Sequence, residues 1–207
     1  RIPPVQPAGA GRSARVIIWI DHSRSHPLPV SLIFPIRMLR YSPQVALEDA
    51  AHVSPHSGCG YTLRVAVPAD REVLADVYLT CRRATFSWLD PAQFQRSDFV
   101  EDTEGERVVV CEAAGRIVGF SGTWLPDNFL HHLFVLPEHQ GHGAGLALLR
   151  ASMRDMTGPV RLKCVALNQR AVRFYSKLGG VIEGTSQDGP EGPYHTIRLP
   201  NPLPAPA

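Results

Sequence analysis

The stretch HLFVLPEHQGHGAGLALL, residues 132–149, places three glycines within five positions directly before a run of leucines that is typical of a helix. Gly141, Gly143 and Gly145 let backbone N–H groups converge where that helix begins, and their partial positive charge suits a phosphate group. A glycine-rich helix start that serves only close packing is the alternative. The stretch therefore predicts an anion-binding turn between a strand and a helix.

Two familiar phosphate-binding loops do not match this turn. A Walker loop would end in Gly-Lys-Ser/Thr, whereas Leu146 and Ala147 follow Gly145 here. A dinucleotide fingerprint places its first glycine directly after the strand, but residues 137–140 intervene and no paired βαβ unit follows. The pattern excludes a P-loop and argues against NAD.

The sequence around the turn predicts an α+β fold, a mixed sheet flanked by helices. Apolar alternation and short apolar runs predict strands over 61–67, a hairpin over 107–125 joined by an Ala-Gly turn, and strands over 128–136, 160–167, 181–183 and 194–199. Apolar residues at helical spacing, with capping residues, predict a helix that opens at 68–70 and continues through 81, and helices over 91–99, 143–156 and 168–178.

Composition changes near residue 60. Residues 1–60 hold eight of the 19 prolines, six Arg, no Lys and three acids, with no sustained helical or strand period. We expect a disordered or non-native extension over 1–60, a folded domain over 61–200 and a Pro-rich end over 201–207. Because Met38 is the first methionine, the extension has two interpretations. It is either vector-derived or translated from sequence upstream of the native start.

Composition also argues against several classes of partner. The net charge is +2, and Lys and Arg are spread along the chain, so we expect no nucleic-acid partner. The apolar stretches at 16–20 and 30–34 are far shorter than the roughly 20 residues of a membrane span, so neither a membrane anchor nor an export signal is expected. The four cysteines lack Cys-x-x-Cys spacing, which favours a cytoplasmic location.

Histidines in the extension have spacings that could place metal ligands on one helix face. His22 precedes His26, and His52 precedes His56 and Cys59. Nearby prolines oppose helices in both places, so no metal site is expected there.

Two motifs carry a family resemblance. The segment V-L-P-E-H-Q-G-H-G-A-G, residues 135–145, resembles the V-x-P-x-x-[QR]-x-x-G-x-[GA] signature of the GNAT superfamily of acyl-CoA-dependent N-acyltransferases. The segment V-A-L-N-Q-R-A-V-R-F-Y-S-K-L-G-G, residues 165–180, is similar to the second motif N-x-x-A-x-x-[FL]-Y-x-[KR]-x-G-F, with Gly180 where the family usually has Phe. The resemblance covers about residues 61–199. It implies a mostly antiparallel GNAT-type sheet whose splayed strands form an acyl-CoA cleft.

The resemblance also implies a set of cofactor-binding residues for acetyl-CoA as co-substrate, without a metal. Backbone N–H groups of the strand carrying Leu133, Phe134 and Val135 would lie beside the pantetheine arm and stabilise an oxyanion. Asn168 would contact the pantetheine arm, and its residue type also favours a helix N-cap. The implied pyrophosphate cradle comprises Gln140, Gly141, His142, Gly143, Ala144 and Gly145.

Two side chains are candidates for catalysis. Tyr175 stands where the second motif places the general acid near the sulfur, and a core tyrosine on an amphipathic helix is the alternative. His131 is the candidate base and matches a strand position at which arylalkylamine-type members of the superfamily carry a His. Alternation predicts that His131 shares a face with Leu133 and Val135 while His132 points the other way. A purely structural histidine is the alternative.

The acceptor is expected to be a small-molecule amine. Lys163 occupies the strand position where acetylases of the ribosomal-protein N-terminal branch carry a Glu base, which disfavours a protein N-terminus. The acidic run over 101–106 is interpreted as a solvated loop that could also attract a cationic amine. Variable loops over 86–99 and 187–195 are the candidate acceptor pocket.

Cys164 is interpreted as a small buried strand residue rather than an acyl-carrying nucleophile. The expected reaction is therefore direct attack of the amine in a ternary complex. A GNAT-like module that binds acyl-CoA without turnover is the alternative function, and a homodimer is left open.

Overall fold

The structure is a computed structural model that describes residues 60–204. The strands are β1 (Tyr61–Val65), β2 (Arg107–Ala113), β3 (Arg116–Trp124), β4 (Phe129–Val135), β5 (Val160–Val165), β6 (Val181–Ser186) and β7 (Tyr194–Leu199). The helices are α1 (Arg71–Thr85), α2 (Asp98–Asp102), α3 (Ala144–Met153) and α4 (Gln169–Lys177). Apart from Gly60, the expected extension over 1–60 and its histidines lie outside the described residues.

The seven strands form one sheet in the order β1-β2-β3-β4-β5-β7-β6. Neighbouring strands are antiparallel, except that β4 and β5 are parallel. The β2–β3 hairpin turns at Ala114 and Gly115, whose φ angles of 47° and 73° suit a tight two-residue turn. The predicted mixed, mostly antiparallel sheet flanked by helices is confirmed.

Helices cover both faces of this sheet. The face under α1 and α2, here called the α1 face, is built on Tyr78, Phe99 and Phe120, whose rings meet edge to face. The opposite face, here called the α3 face, packs Leu148 of α3 against β1–β3. Tyr175 of α4 packs against β5 and β7 on the same side. In residues 60–204, no helix has the length and apolar character that a membrane crossing requires.

The helix predicted over 91–99 is wrong in its extent. The chain forms a short 3-10 turn at Pro91–Gln93, capped by Asp90, whose side chain accepts the Ala92 N–H at 2.9 Å. Phe94 is then extended, and α2 begins at Asp98. Because Phe94 is extended, the segment forms two short elements instead of one helix.

Candidate active site

The strands β4 and β5 separate after two residue pairs. Their parallel ladder joins Phe129 to Arg161 and Leu130 to Leu162, and ends there. β4 continues along β3, while β5 continues along β7. Beyond Leu130, no strand of the described part of the chain fills the space between them. This opening in the sheet is here called the strand gap.

Backbone amides of β4 line one side of the strand gap. The Leu136 N–H donates to the Val118 carbonyl oxygen of the β3 side at 2.9 Å. Because successive N–H groups of a strand point in opposite directions, those of Leu133 and Val135 point into the strand gap. The same alternation directs the Phe134 N–H toward β3. Of the three residues implied as donors, the geometry therefore leaves two that face the gap.

The glycine turn joins β4 to α3, as the sequence predicts. Gly141 and Gly143 have φ angles of 85° and 90°, a left-handed conformation that other residues rarely adopt. Gly143 is the N-cap of α3, so the free N–H groups of the first helical turn begin there. These groups and the helix dipole together attract an anion.

Two side chains complete the surroundings of the turn. The Gln140 Nε2 donates to the Val135 carbonyl oxygen at 2.7 Å, which ties the turn to the end of β4. The Arg170 Nη2 lies 4.0 Å from the position that a Cβ on Gly141 would occupy. Arg170 therefore brings a cation beside the turn, a contact that the sequence pattern did not single out because it joins two motifs far apart in the chain. His142 is exposed at the same turn.

Tyr175 lies beside the strand gap on the α3 face. It belongs to the core cluster that contains Leu130 of β4 and Cys164 of β5, the two strands that separate. Tyr175 is only 7% exposed. Burial, and to a smaller extent the neighbouring Cys164, raises the pKa of its hydroxyl group. The phenol therefore keeps its proton at neutral pH and can act as a proton donor.

Asn168 is the N-cap of α4, because its Oδ1 accepts the Ala171 N–H at 3.1 Å. The capping role is confirmed, and the implied pantetheine contact stays a prediction. Cys164 is buried, as expected, and burial raises the pKa of its thiol to about 11. A thiol that stays protonated at neutral pH is a poor nucleophile. Among the described residues, no group of three or more metal-ligating side chains has the arrangement of a metal site.

His131 is the extra residue of a β-bulge. Along β3, Gly122 pairs with His132 and Thr123 pairs with Leu130, so His131 has no partner in the register. A bulge of this kind bends the strand and changes the direction of the side chains on either side of it.

The bulge places His131 on the α1 face. Leu130 lies in the core cluster of the α3 face and Leu133 packs against the same cluster, although a regular strand would put residues three apart on opposite faces. His132 lies on the α1 face, with its ring centroid 5.5 Å from that of Tyr78. His131 contacts the same carboxylate as His132 and therefore lies on the α1 face as well. The prediction that His131 shares a face with Leu133 is wrong, because it assumed an unbroken strand.

That carboxylate belongs to Glu106. Its Oε1 hydrogen-bonds to His131 Nδ1, and its Oε2 lies 3.7 Å from His132 Nε2. The Glu106 side chain is 3% exposed, and its Oε2 has no hydrogen-bond partner among the described residues. Gly122 leaves room for this carboxylate, because a Cβ at that position would collide with Oε2.

The interpretation of residues 101–106 as a solvated loop is wrong for Asp102 and Glu106. Asp102 is buried, and so is the Glu106 side chain. Val108 and Val110 of β2 both face α1. Glu106 continues their alternation by one step, and this two-residue spacing is the signal in the sequence that could have placed it on the α1 face.

Arg82 joins the two predicted acceptor loops. Its side chain is 5% exposed, with Nη1 2.9 Å from Asp98 Oδ2 and Nη2 3.3 Å from Glu191 Oε1. Its guanidinium group lies 5.0 Å from the Tyr78 ring centroid. The Trp88 Nε1 donates to the Glu191 carbonyl oxygen at 2.9 Å. The connection between β6 and β7 is thus held against α1 and the segment that follows it.

Known proteins share this fold. The model of the acetyltransferase (GNAT) family matches residues 71–180. A GCN5-related N-acetyltransferase from Rhodopseudomonas palustris aligns with a TM-score of 0.57 and 20% identity, over 67% of this chain and 94% of that chain. The apo form of YjaB from Escherichia coli aligns with a TM-score of 0.58 and 19% identity, over 67% and 97%.

The PaiA N-acetyltransferase from Thermoplasma acidophilum, solved in complex with coenzyme A, has a TM-score of 0.54 and 16% identity, over 68% of this chain and 98% of that chain. At such identities the likeness concerns the fold alone. No curated protein matches the chain significantly. The predicted family resemblance is nevertheless confirmed, because the family match covers more than half of the chain.

Proposed function

Because the chain belongs to the GNAT acetyltransferase family, we propose that it transfers an acetyl group from acetyl-CoA to the amine of a small molecule. One observation carries this proposal. The buried Tyr175 lies beside the same strand gap into which the N–H groups of Leu133 and Val135 point. A module that only binds acyl-CoA has no need of a protonated phenol at this point.

The residues present fit acetyl-CoA. The left-handed glycines and the first turn of α3 would hold the pyrophosphate through backbone N–H groups, with Arg170 as a nearby cation. The N–H groups that face the strand gap would hold the pantetheine arm. The coenzyme A bound to PaiA, which has the same fold, supports this assignment. When bound, acetyl-CoA supplies the reactive thioester.

Three groups of the chain would divide the chemical work. A primary amine has a pKa near 10 in water and is mostly protonated at pH 7, so it needs a base. His131, 26% exposed, would accept that proton at Nε2. The N–H groups of Leu133 and Val135 would donate to the carbonyl oxygen as it gains negative charge. The Tyr175 hydroxyl would donate its proton to the departing sulfur.

The proposed base and acid lie on opposite faces of the sheet. His131 is on the α1 face and Tyr175 on the α3 face, with the strand gap between them. This arrangement favours direct transfer in a ternary complex, in which the amine approaches from one face and the thioester from the other. The buried, protonated Cys164 thiol offers no alternative acyl carrier.

The acids clustered around Arg82 favour a cationic acceptor. Asp98, Asp102 and Glu191 surround the single guanidinium group of Arg82, so negative charge exceeds positive charge there. Such a surface would attract an amine in its protonated form before the base acts.

The proposal is tested by measuring the release of free CoA from acetyl-CoA in the presence of primary amines, among them diamines, arylalkylamines and short peptides. Turnover with a small amine is the expected result. Tyr175→Phe should lower kcat roughly 100-fold at every pH while the Kd for CoA is unchanged, because the ring remains and only the proton is lost. Tyr61→Phe, on the edge strand β1, is the matched control and should retain full activity. Tight acetyl-CoA binding without turnover on any amine would favour the alternative function, a module that binds acyl-CoA without catalysis.

A further inference from the structure

The carboxylate of Glu106 has no part in the chemistry described so far, although its burial is costly. The side chain is 3% exposed; it hydrogen-bonds to His131 Nδ1 and lies 3.7 Å from His132 Nε2. An ionised carboxylate loses its hydration when buried, and a partly satisfied one is a poor source of stability. Its Oε2 lacks a hydrogen-bond partner among residues 60–204. The burial of this carboxylate is unfavourable for stability, which suggests that Glu106 has a function.

The surrounding backbone is shaped to admit this carboxylate. A Cβ on Gly122 would collide with Glu106 Oε2, and it would lie 2.9 Å from His132 Cδ2. The bulge directly opposite, at His131, turns that imidazole toward Glu106 instead of toward the α3 face. Two separate departures from a regular strand pair, a glycine and an extra residue, thus bring the carboxylate and the imidazole together.

The two histidines are held differently. The His132 Nε2–H donates to the Asp102 carbonyl oxygen at 3.1 Å, and its ring stacks on Phe134 with centroids 6.2 Å apart. His132 is therefore fixed within the protein. His131 donates its Nδ1–H to the carboxylate of Glu106, so its Nε2 is the nitrogen that carries the free lone pair.

We propose that Glu106 is a positioning residue for His131. Its carboxylate accepts the Nδ1–H, fixes the imidazole in the form whose Nε2 can accept a proton, and stabilises the positive ring that results. The proton passes from the ammonium group of the acceptor to Nε2 as an N–H bond of that group breaks, and Glu106 keeps accepting the Nδ1–H throughout. This inference rests on the proposed function, in which His131 is the base.

Other charged and titratable groups lie around this pair. On the α1 side they are Tyr78, Arg82 and Asp102, which contact one another. On β5, Arg161 and Lys163 lie on the same sheet face as His131; Arg161 pairs with Glu183, and the Lys163 Nζ lies 5.0 Å from the Tyr194 ring centroid. No hydrogen bond or ion pair within residues 60–204 joins these groups to His131, whereas Glu106 hydrogen-bonds to it, so Glu106 is the acid in direct contact with that imidazole.

The test is the pH dependence of kcat/KM for Glu106→Gln with an accepted amine. Gln keeps the size and an acceptor oxygen but removes the charge. The ascending limb of the profile should move toward acid by roughly one pH unit, because the ring loses the carboxylate that favours its protonated form. The value at neutral pH should fall roughly tenfold, because the base is weaker. Glu101→Gln, an exposed acid of the same segment, should leave the profile unchanged.

Gly122→Ala tests the same contact without altering any charged group. The new Cβ displaces the Glu106 carboxylate, so this variant should shift the ascending limb in the same direction. Adding Gly122→Ala to Glu106→Ala should cause no further shift, because the carboxylate is already gone. Thermal unfolding of each variant establishes that it is folded, and either single variant suffices to decide the matter if the other fails to fold.

The outcomes separate this inference from the proposed function. His131→Ala should lose kcat/KM most near neutrality and recover part of the loss above about pH 9, where free amine is abundant. Suppose that His131→Ala shows this alkaline recovery but the ascending limb of the kcat/KM profile does not move in Glu106→Gln and Gly122→Ala. The positioning role is then overturned, while the acetyltransferase proposal stands. If His131→Ala retains the wild-type profile, the role of Glu106 falls with that of the base. Absence of turnover on every amine overturns the proposed function itself.

Discussion

Arg82 of α1 and Glu191 of the β6–β7 connection form an ion pair across 109 residues of sequence, with Nη2 and Oε1 3.3 Å apart. The guanidinium group is buried, and it also contacts Asp98 and the Tyr78 ring. Since Trp88 binds the backbone of Glu191 as well, the two loops that the proposed acceptor must pass are fixed to each other.

Arg82→Met should therefore lower the free energy of unfolding by roughly 3 kcal/mol, because it leaves the buried Asp102 and the half-buried Asp98 and Glu191 without their cation. Urea denaturation measures this change. Arg83→Met is the matched control: Arg83 is exposed and binds backbone carbonyls, so its loss should cost less than about 1 kcal/mol. Equal costs for the two variants would contradict the proposal that Arg82 fixes the two loops to each other.

Gly143→Asp should raise the Kd for CoA at least about tenfold, because the side chain strains a left-handed position and its charge opposes a phosphate at the helix N-terminus. Gly115→Asp introduces the same residue at another left-handed glycine, in the β2–β3 turn, where a Cβ meets nothing within 4 Å. Calorimetric titration of both folded variants with CoA measures the two Kd values, and only Gly143→Asp should differ from the wild type. Unchanged CoA affinity in Gly143→Asp would remove the assigned pyrophosphate site.

Gly180→Ala should destabilise the protein by roughly 1–3 kcal/mol. A Cβ there would lie 2.7 Å from the Tyr175 carbonyl oxygen and 3.1 Å from Ile197 Cγ2, so the end of α4 must shift. The close approach leaves no room for a side chain at this point of the second motif. Gly184→Ala on β6 meets nothing within 4 Å and should be tolerated. Thermal unfolding of the pair checks the difference.

The free energy of unfolding should fall at alkaline pH. Burial raises the pKa of the Cys81 and Cys111 thiols to about 12 and that of Cys164 to about 11, from 9.0. The folded state therefore keeps these protons after the unfolded chain has released them. Stability is complete below about pH 9 and declines from there toward pH 11–12, by about 1.4 kcal/mol per pH unit for each thiol. Urea denaturation from pH 7 to 10.5 should show a shallower decline in Cys164→Ala than in the wild type.

Local patterns in the sequence were sufficient to predict the order of the elements. The Ala114–Gly115 turn, the glycines before α3 and the cap at Asn168 each depend on residues close together in the chain. Their conformational preferences hold in any surroundings, so a single sequence reveals them.

The arrangement around His131 could not be predicted in the same way. A bulge is decided by how two strands pair, and the residues of β4 alone are compatible with regular alternation. The burial of Glu106 depends likewise on the missing side chain of Gly122, on a different strand. Both features arise from contacts between segments that no local period connects.

The early end of the β4–β5 ladder divides the amide protons of the sheet into two populations for hydrogen exchange. Amides inside either continuous ladder, such as those of Cys111 and Ile197, are buried and should exchange slowly. The amides of Leu133 and Val135 belong to an interior strand but face the opening, so they should exchange with solvent as edge-strand amides do. A molecule that enters the opening would slow the exchange of these two amides. Isotope labelling can therefore detect the occupant before its chemistry is known.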